Sequence, residues 1–286
     1  MKKIMATAVA TAFALPVYAA DVTLVGSVEW SLTDTNGATA SAIDSEFNIN
    51  ASTETANGLS ASATLQGNTN EATGNADGDT SITLGGPFGK ITLGDMPSAA
   101  DSFDDKNDYS LVVGTSLTAP DADVRWTLPT MSEGLTVLLS YSADSETGGG
   151  DAGAHTGIGV NYAMGGFTVS AGQNDNDDGS KITYTGASAT FGGLTVSVES
   201  MADDDQDGTV TAKQDEKSVG FSYEMGDVTL FGSNQETEVQ DAVTADVTAF
   251  GVHYDLGGGV TAFAESSSDD KNASLDMTAV GVKVSF

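Results

Sequence analysis

Ala279-Val280-Gly281-Val282-Lys283-Val284-Ser285-Phe286 alternates strictly between two kinds of side chain. Strand side chains point to opposite faces with period two, so Val280, Val282, Val284 and Phe286 share one face. Ala279, Gly281, Lys283 and Ser285 share the other. A half-buried strand of a soluble sheet has the same pattern. Here nearly every segment of the chain repeats it, and no helical periodicity intervenes. A chain patterned this way throughout needs an apolar medium on one side and water on the other. A closed barrel in a lipid bilayer provides both.

The first residues point to export. Lys2 and Lys3 form a positive region, Ile4 to Leu15 an apolar one, and Pro16 breaks it before Val17-Tyr18-Ala19. Small residues at the −3 and −1 positions complete a secretory signal peptide. The apolar run is about a dozen residues, short of the roughly 20 that span a bilayer as a helix. The expected layout is a signal peptide over 1–19 and one barrel domain over 20–286. Cysteine is absent, so no disulfide holds the exported chain together.

Charge excludes one partner class. The chain has 41 acidic and 10 basic residues, a net −31, and Arg125 is its one arginine. Loss of Lys2 and Lys3 with the signal peptide would raise the excess further. Such a chain repels nucleic acid, and it repels anionic lipid surfaces unless divalent cations intervene.

One phrase recurs. Gly134-Leu135-Thr136-Val137, Gly166-Phe167-Thr168-Val169, Gly193-Leu194-Thr195-Val196 and Gly259-Val260-Thr261-Ala262 each read as a tight glycine turn entering an alternating strand. Asn57-Gly58, Phe88-Gly89 and Gly226-Asp227 open similar segments, which brings the turns to seven. Their spacing of roughly 30 residues is that of β-hairpins in series. Seven turns join fourteen strands. One strand from Asp21 to Leu32 and another from Met277 to Phe286 make sixteen, an even number, as an antiparallel closed barrel requires. The other connections, such as Gly67–Asp79, Ala143–Gly153, Asn174–Ser180 and Ala202–Asp215, read as longer polar loops. Short turns at one end and long loops at the other is the outer-membrane pattern. Tyr162, Phe191, Tyr223, Tyr254 and Phe286 fall near the tight-turn end, where an aromatic girdle is expected.

One connection departs from the rule. Between Gly94 and Val124 the alternation stops, and the stretch 95–123 contains Met96, Phe103, Tyr109, Leu111, Val112, Val113 and Leu117. A solvated loop is poorer in such residues. The expectation is that it packs inside the barrel.

Here the chain resembles a known family. Gly86-Pro87-Phe88-Gly89-Lys90-Ile91-Thr92-Leu93-Gly94-Asp95 is similar to the phrase that precedes the constriction loop of bacterial general porins of the Rhodobacter type. The stretch from Tyr254 to Gly259 and the terminal strand resemble that family's last hairpin. The resemblance implies a sixteen-stranded homotrimeric barrel whose third loop narrows the pore. It also implies a terminal Phe286 that the outer-membrane insertion machinery reads as an assembly signal. Acidic loop residues of the family face arginines on the opposite wall. The acidic half is present in Asp95, Asp101, Asp104, Asp105 and Asp108, with Lys106 among them. The basic half departs from the pattern: the expected wall reads Thr23, Ser27, Glu29, Asn48, Asn50, Ser60, Ser62 and Thr64, with Lys283 the one base. A mostly negative constriction favours cations.

Two further patterns complete the reading. Asp203, Asp205 and Asp207 precede Gly208 in the D-x-D-x-D-G order of a calcium loop, but the twelfth position is Gln214 rather than Glu. Ca2+ at an extracellular loop, bridging to lipopolysaccharide, is one reading and a solvated acidic loop the other. Ala51, Ala61 and Ala63 are small residues on the outward face and suggest a subunit contact. No enzyme motif is present, and His155 and His253 fall at opposite ends of the expected barrel. The expected function is passive diffusion of ions and small hydrophilic solutes through the outer membrane. The alternative is a secreted, acidic, calcium-binding β-rich adhesin or surface-layer protein.

Overall fold

The computed structural model describes residues 21–70, 76–77, 80–103, 107, 110, 121–143, 154–177, 179–204 and 213–286. The signal peptide lies outside these residues, as do Asp104, Asp105, Lys106, Asp108, Asp205 and Asp207.

The described chain is one antiparallel sheet that closes on itself. Strand β1 (Asp21–Thr35) pairs with β2 (Ala38–Glu54) on one side and with β17 (Met277–Ser285) on the other. Between them run β3 (Ser60–Asn70), β4 (Ala76–Asp77), β5 (Thr80–Gly86), β6 (Gly89–Pro97), β7 (Asp121–Thr127), β8 (Leu135–Ser142) and β9 (His155–Met164). Next come β10 (Phe167–Asn176), β11 (Lys181–Phe191), β12 (Leu194–Asp204), β13 (Gln214–Met225), β14 (Val228–Val239), β15 (Ala242–Gly257) and β16 (Val260–Asp269). The two-residue β4 extends the ladder that β3 forms with β5, so sixteen staves close the barrel. Two single-turn 3-10 helices, Asp101–Phe103 and Ala273–Leu275, are the helical elements among the described residues.

The register fixes which side chains face out. Trp30 and Val282 are cross-strand partners, as are Ile49 and Leu65, and Val196 and Phe221. All six lie on the outer face with a large fraction of their surface exposed. A soluble protein does not tolerate so broad an apolar belt, and a bilayer supplies its partner. Tyr162, Phe191, Tyr223, Tyr254 and Phe286 are also outward and exposed. All lie toward the tight-turn rim, where Phe191 meets Phe167 edge-on at 5.4 Å. Ala51 and Ala63 are cross-strand partners on the outer face.

The seam is closed by backbone at the terminus. Gly26 and Phe286 exchange both N–H···O bonds at 2.9 Å. The Phe286 ring lies on the outside over Gly26, where a Cβ would come within 3.1 Å of the ring edge.

Two expectations about loops are corrected. The end opposite the tight turns is not uniformly long-looped. Asn36-Gly37 joins β1 to β2 with φ of 51° and 84°, and Gln240-Asp241 joins β14 to β15 with φ of 51° and 60°. Paired positive φ values make these the two-residue turns whose twist matches that of the flanking strands. The third-loop boundaries also shift. Strand β6 continues through a register shift after Leu93 to Pro97, and β7 begins at Asp121. Asp95 is therefore on a strand. Gly94, at φ 120°, makes the bulge that carries the strand onward.

Candidate functional site in the barrel interior

The inward face is polar over most of its area but has an apolar wall. On β8 to β12, Leu138, Ile182, Tyr184 and Met201 face inward and are buried, and so are Phe231 on β14 and Phe263 on β16. Side chains cannot be buried on the inside of an empty tube. Phe231 and Phe263 reach over glycines, since a Cβ on Gly251 would collide with Phe231 and one on Gly281 with Phe263. Over β8 to β10 further cover comes from the described residues of the connection between β6 and β7.

That connection is fastened along the inner wall in sequence. Asn174 Nδ2 of β10 donates to Ser98 Oγ at 2.8 Å, and both side chains are fully buried. The Ala99 N–H donates to Ser140 Oγ of β8 at 2.9 Å. Ala99 and Ala100 sit against Gly157, Gly159 and Gly172 of β9 and β10. A Cβ on Gly159 would strike the Ala99 carbonyl oxygen, and one on Gly172 would lie 2.6 Å from Ala100 Cα. Further along, Asn107 Nδ2 donates to Ser218 Oγ at 2.7 Å and to Glu199 Oε2 at 3.3 Å, while Ser197 donates to Asn107 Oδ1. Ser110 Oγ then donates to Glu265 Oε2 at 2.5 Å, and Glu265 Oε1 lies 2.8 Å from His253 Nε2. The described residues of the connection thus touch β8, β9, β10, β12, β13 and β16 from the inside.

Arg125 holds the root of the same segment. Its Nη1 donates to the Pro97 carbonyl at 3.0 Å and to Ser102 Oγ at 2.8 Å. Asp101 is its electrostatic neighbour, and Asp95 and Asp101 are both neighbours of Asp121. The two expected loop aspartates within the described residues therefore gather at the root.

The other two expected constriction residues are partners. Glu29 and Lys283 face each other across the seam, with Oε2 and Nζ 3.9 Å apart. Asp44 pairs with Glu29 from the other side, and Glu46 accepts from Gln66 Nε2 at 2.8 Å and Asn48 Nδ2 at 3.2 Å. Beyond that wall, Lys90 of β6 also faces inward, level with Gly85. Asp203 faces inward opposite Gln214 at the loop end of β12. Among the described residues no group of three or more acidic or histidine side chains is placed to hold a metal ion. His253 and Ser110 both approach Glu265, an order unlike that of a hydrolytic triad, in which histidine stands between serine and the acid.

Sequence reasoning missed Arg125, Asn107, Ser110 and Lys90. Arg125 stood out only as the lone arginine. The inward parity of Lys90 was readable from Ile91 and Leu93, which face out.

A closed antiparallel barrel of sixteen staves, apolar outside and polar within, defines a water-filled transmembrane channel. A family model described as "Gram-negative porin" matches residues 6–274, and the chain belongs to the Gram-negative porin family. It is an outer-membrane protein. Among solved structures, a double mutant of Rh. blastica porin is similar at 19% identity and TM-score 0.72, covering 93% of this chain and 100% of that one. A second porin structure has 20% identity, TM-score 0.72 and the same coverage. A triple mutant of Rhodopseudomonas blastica porin gives 18% and 0.71, again at 93% and 100%. No curated protein sequence matches. The porin family and the closed membrane barrel overturn the alternative of a secreted adhesin or surface-layer protein.

Proposed function

We propose that the protein is a passive diffusion pore that favours cations, performs no chemistry and assembles as a homotrimer. The connection 98–120 acts as its constriction. The observation that carries the cation preference is the wall left uncovered by the described loop residues. There Glu29, Asp44 and Glu46 face the lumen, and the base beside them, Lys283, is 3.9 Å from Glu29. Inward carboxylates in excess raise the local cation concentration and repel anions. Asp104, Asp105 and Asp108, with Lys106, lie outside the described residues and belong to the same reading through their net negative charge.

The test is zero-current potential in a planar bilayer under a salt gradient. The wild type is expected to be cation-selective. Replacing Glu29, Asp44 and Glu46 together by their amides should move the potential toward zero. An anion-selective wild type, or a triple variant with unchanged potential, overturns the reading.

Three partners follow. The outer alanines Ala51, Ala61 and Ala63 form the subunit contact, and Ala61→Arg with Ala63→Arg should convert the oligomer to monomers on a native gel. The exposed Phe286 ring is the mark read by the insertion machinery, and its deletion should deplete the protein from the outer membrane. Calcium at Asp203, Asp205 and Asp207, next to lipopolysaccharide, predicts a lower unfolding temperature in chelator.

A further inference from the structure

The inner wall at the tight-turn end of β2 to β6 contains a bay of about 810 Å³. Its floor is ordered in two rows. In the row nearer the turns, consecutive cross-strand partners are Glu54, Ser60, Gly85 and Lys90. In the next row they are Ser52, Ser62, Thr83 and Thr92. An acid and an ammonium thus stand at the two ends of one row, beneath a row made entirely of hydroxyls. Gly85 keeps the middle open, because a Cβ there would collide with Ser60 Oγ. Asp21 lines the bay on the Glu54 side.

The charges do not neutralise each other. Three strand steps of about 4.8 Å separate the Glu54 and Lys90 backbones, about 14 Å in all. Among the described residues, Lys90 forms no ion pair, whereas Lys181, Lys213, Lys217 and Lys283 each do. Among the described residues Lys90 is therefore a cation without an ion pair, inside a lumen dominated by carboxylates.

We propose that this bay is a weak, saturable site for small zwitterions whose two charges are separated by at least a peptide unit, the class of short peptides. The solute carboxylate sits at Lys90, its ammonium group at Glu54 and Asp21, and its body along the hydroxyl row. This inference rests on the channel reading and names a solute class for it. Other solute classes fit less well. A simple anion meets the acidic lumen before it meets Lys90. A simple cation gains nothing from Lys90, and an uncharged polyol has no use for separated charges. A zwitterion satisfies both ends while carrying no net charge against the field. Weak binding is what a conducting path requires, because a tight site would plug it.

The experiment is current-noise analysis on wild-type channels in a planar bilayer, with glycylglycine as the probe and glycerol as the uncharged comparison. Glycylglycine is expected to add concentration-dependent, saturable noise, and glycerol none. Lys90→Met and Glu54→Gln should each weaken half-saturation about tenfold, the scale of one lost charge-assisted contact. Lys90→Arg should restore it, and Lys271→Met, at the opposite mouth, should leave it unchanged. Open wild-type channels without added noise overturn the site but leave the pore standing. Equal noise from glycerol, or saturation indifferent to Lys90→Met, overturns the charge-based recognition. Folded protein that forms no channel overturns the pore and the site with it.

Discussion

The two inner walls of the barrel are built from different materials. Along β8 to β10 the inward positions beneath the loop include Gly157, Gly159 and Gly172, with buried Leu138 beside them. Along β2 to β6 they include Asn50, Ser62, Thr64, Thr83 and Thr92, among which Thr64 donates to Asn50 at 2.8 Å and Thr83 bonds with Thr92 at 2.9 Å. One wall is shaped to be touched by backbone and the other to be touched by water. The difference shows that a pore of this kind is asymmetric by construction. The loop goes where side chains have been removed, and polar side chains remain on the wall opposite.

The comparison is broken most directly at Gly159. Gly159→Val places a side chain against the Ala99 carbonyl, and overpacking of this sort costs about 1–3 kcal/mol. The loop has to leave that wall, so single-channel conductance should change more than in any other single variant here. A conductance equal to wild type would mean that the segment does not limit flow. Next is Asn107→Ala, which strips partners from Ser197, Ser218 and Glu199 at once. Ser218 and Tyr184 still donate to Glu199, so the cost is that of the lost bonds, about 0.5–1.5 kcal/mol each. The expected signs are flickering current and faster proteolysis between β6 and β7. Arg125→Lys keeps the charge but loses the guanidinium that reaches Pro97 and Ser102 together. A loss of about 1 kcal/mol at the root should raise open-channel noise while leaving mean conductance intact. The smallest effect belongs to the other wall. Thr83→Val combined with Thr92→Val removes both partners of one bond, a change that is nearly neutral, within about 0.5 kcal/mol of stability. If that double variant disturbed the current as much as Asn107→Ala, the two walls would not differ as described.

Legibility in the sequence followed the same division. The strands were readable because membrane and water enforce period two along each stave, and Val280 to Phe286 shows it without any knowledge of neighbours. The inward glycines were not readable as a docking surface. Gly157 and Gly159 look like any glycines in a strand, and what they accommodate lies more than fifty residues earlier in the chain. Asn107 and Ser110 were equally silent, since their partners Glu199 and Glu265 come from β12 and β16. The two-residue turn at Asn36-Gly37 did have a signal, the strongest short hairpin dipeptide. It was hidden by the expectation of long loops at that end. Gln240-Asp241 has no such signal, and the ladder on either side forces its backbone. Asp95 was placed in the loop because Gly94 interrupts the alternation, yet that glycine bends the strand without ending it.

The seam between Gly26 and Phe286 has a kinetic consequence. It joins the first strand to the last, the pairing with the greatest separation along the chain, and such contacts form late because closure of a long segment must precede any gain. Until β17 arrives, β1 and β16 are both open edges, each a template for adding a strand from another molecule. Every intermediate in assembly is therefore sticky at two places, and both places vanish in the same event. The barrel's safety from aggregation depends less on how stable it is once formed than on how briefly it exists with the last stave missing.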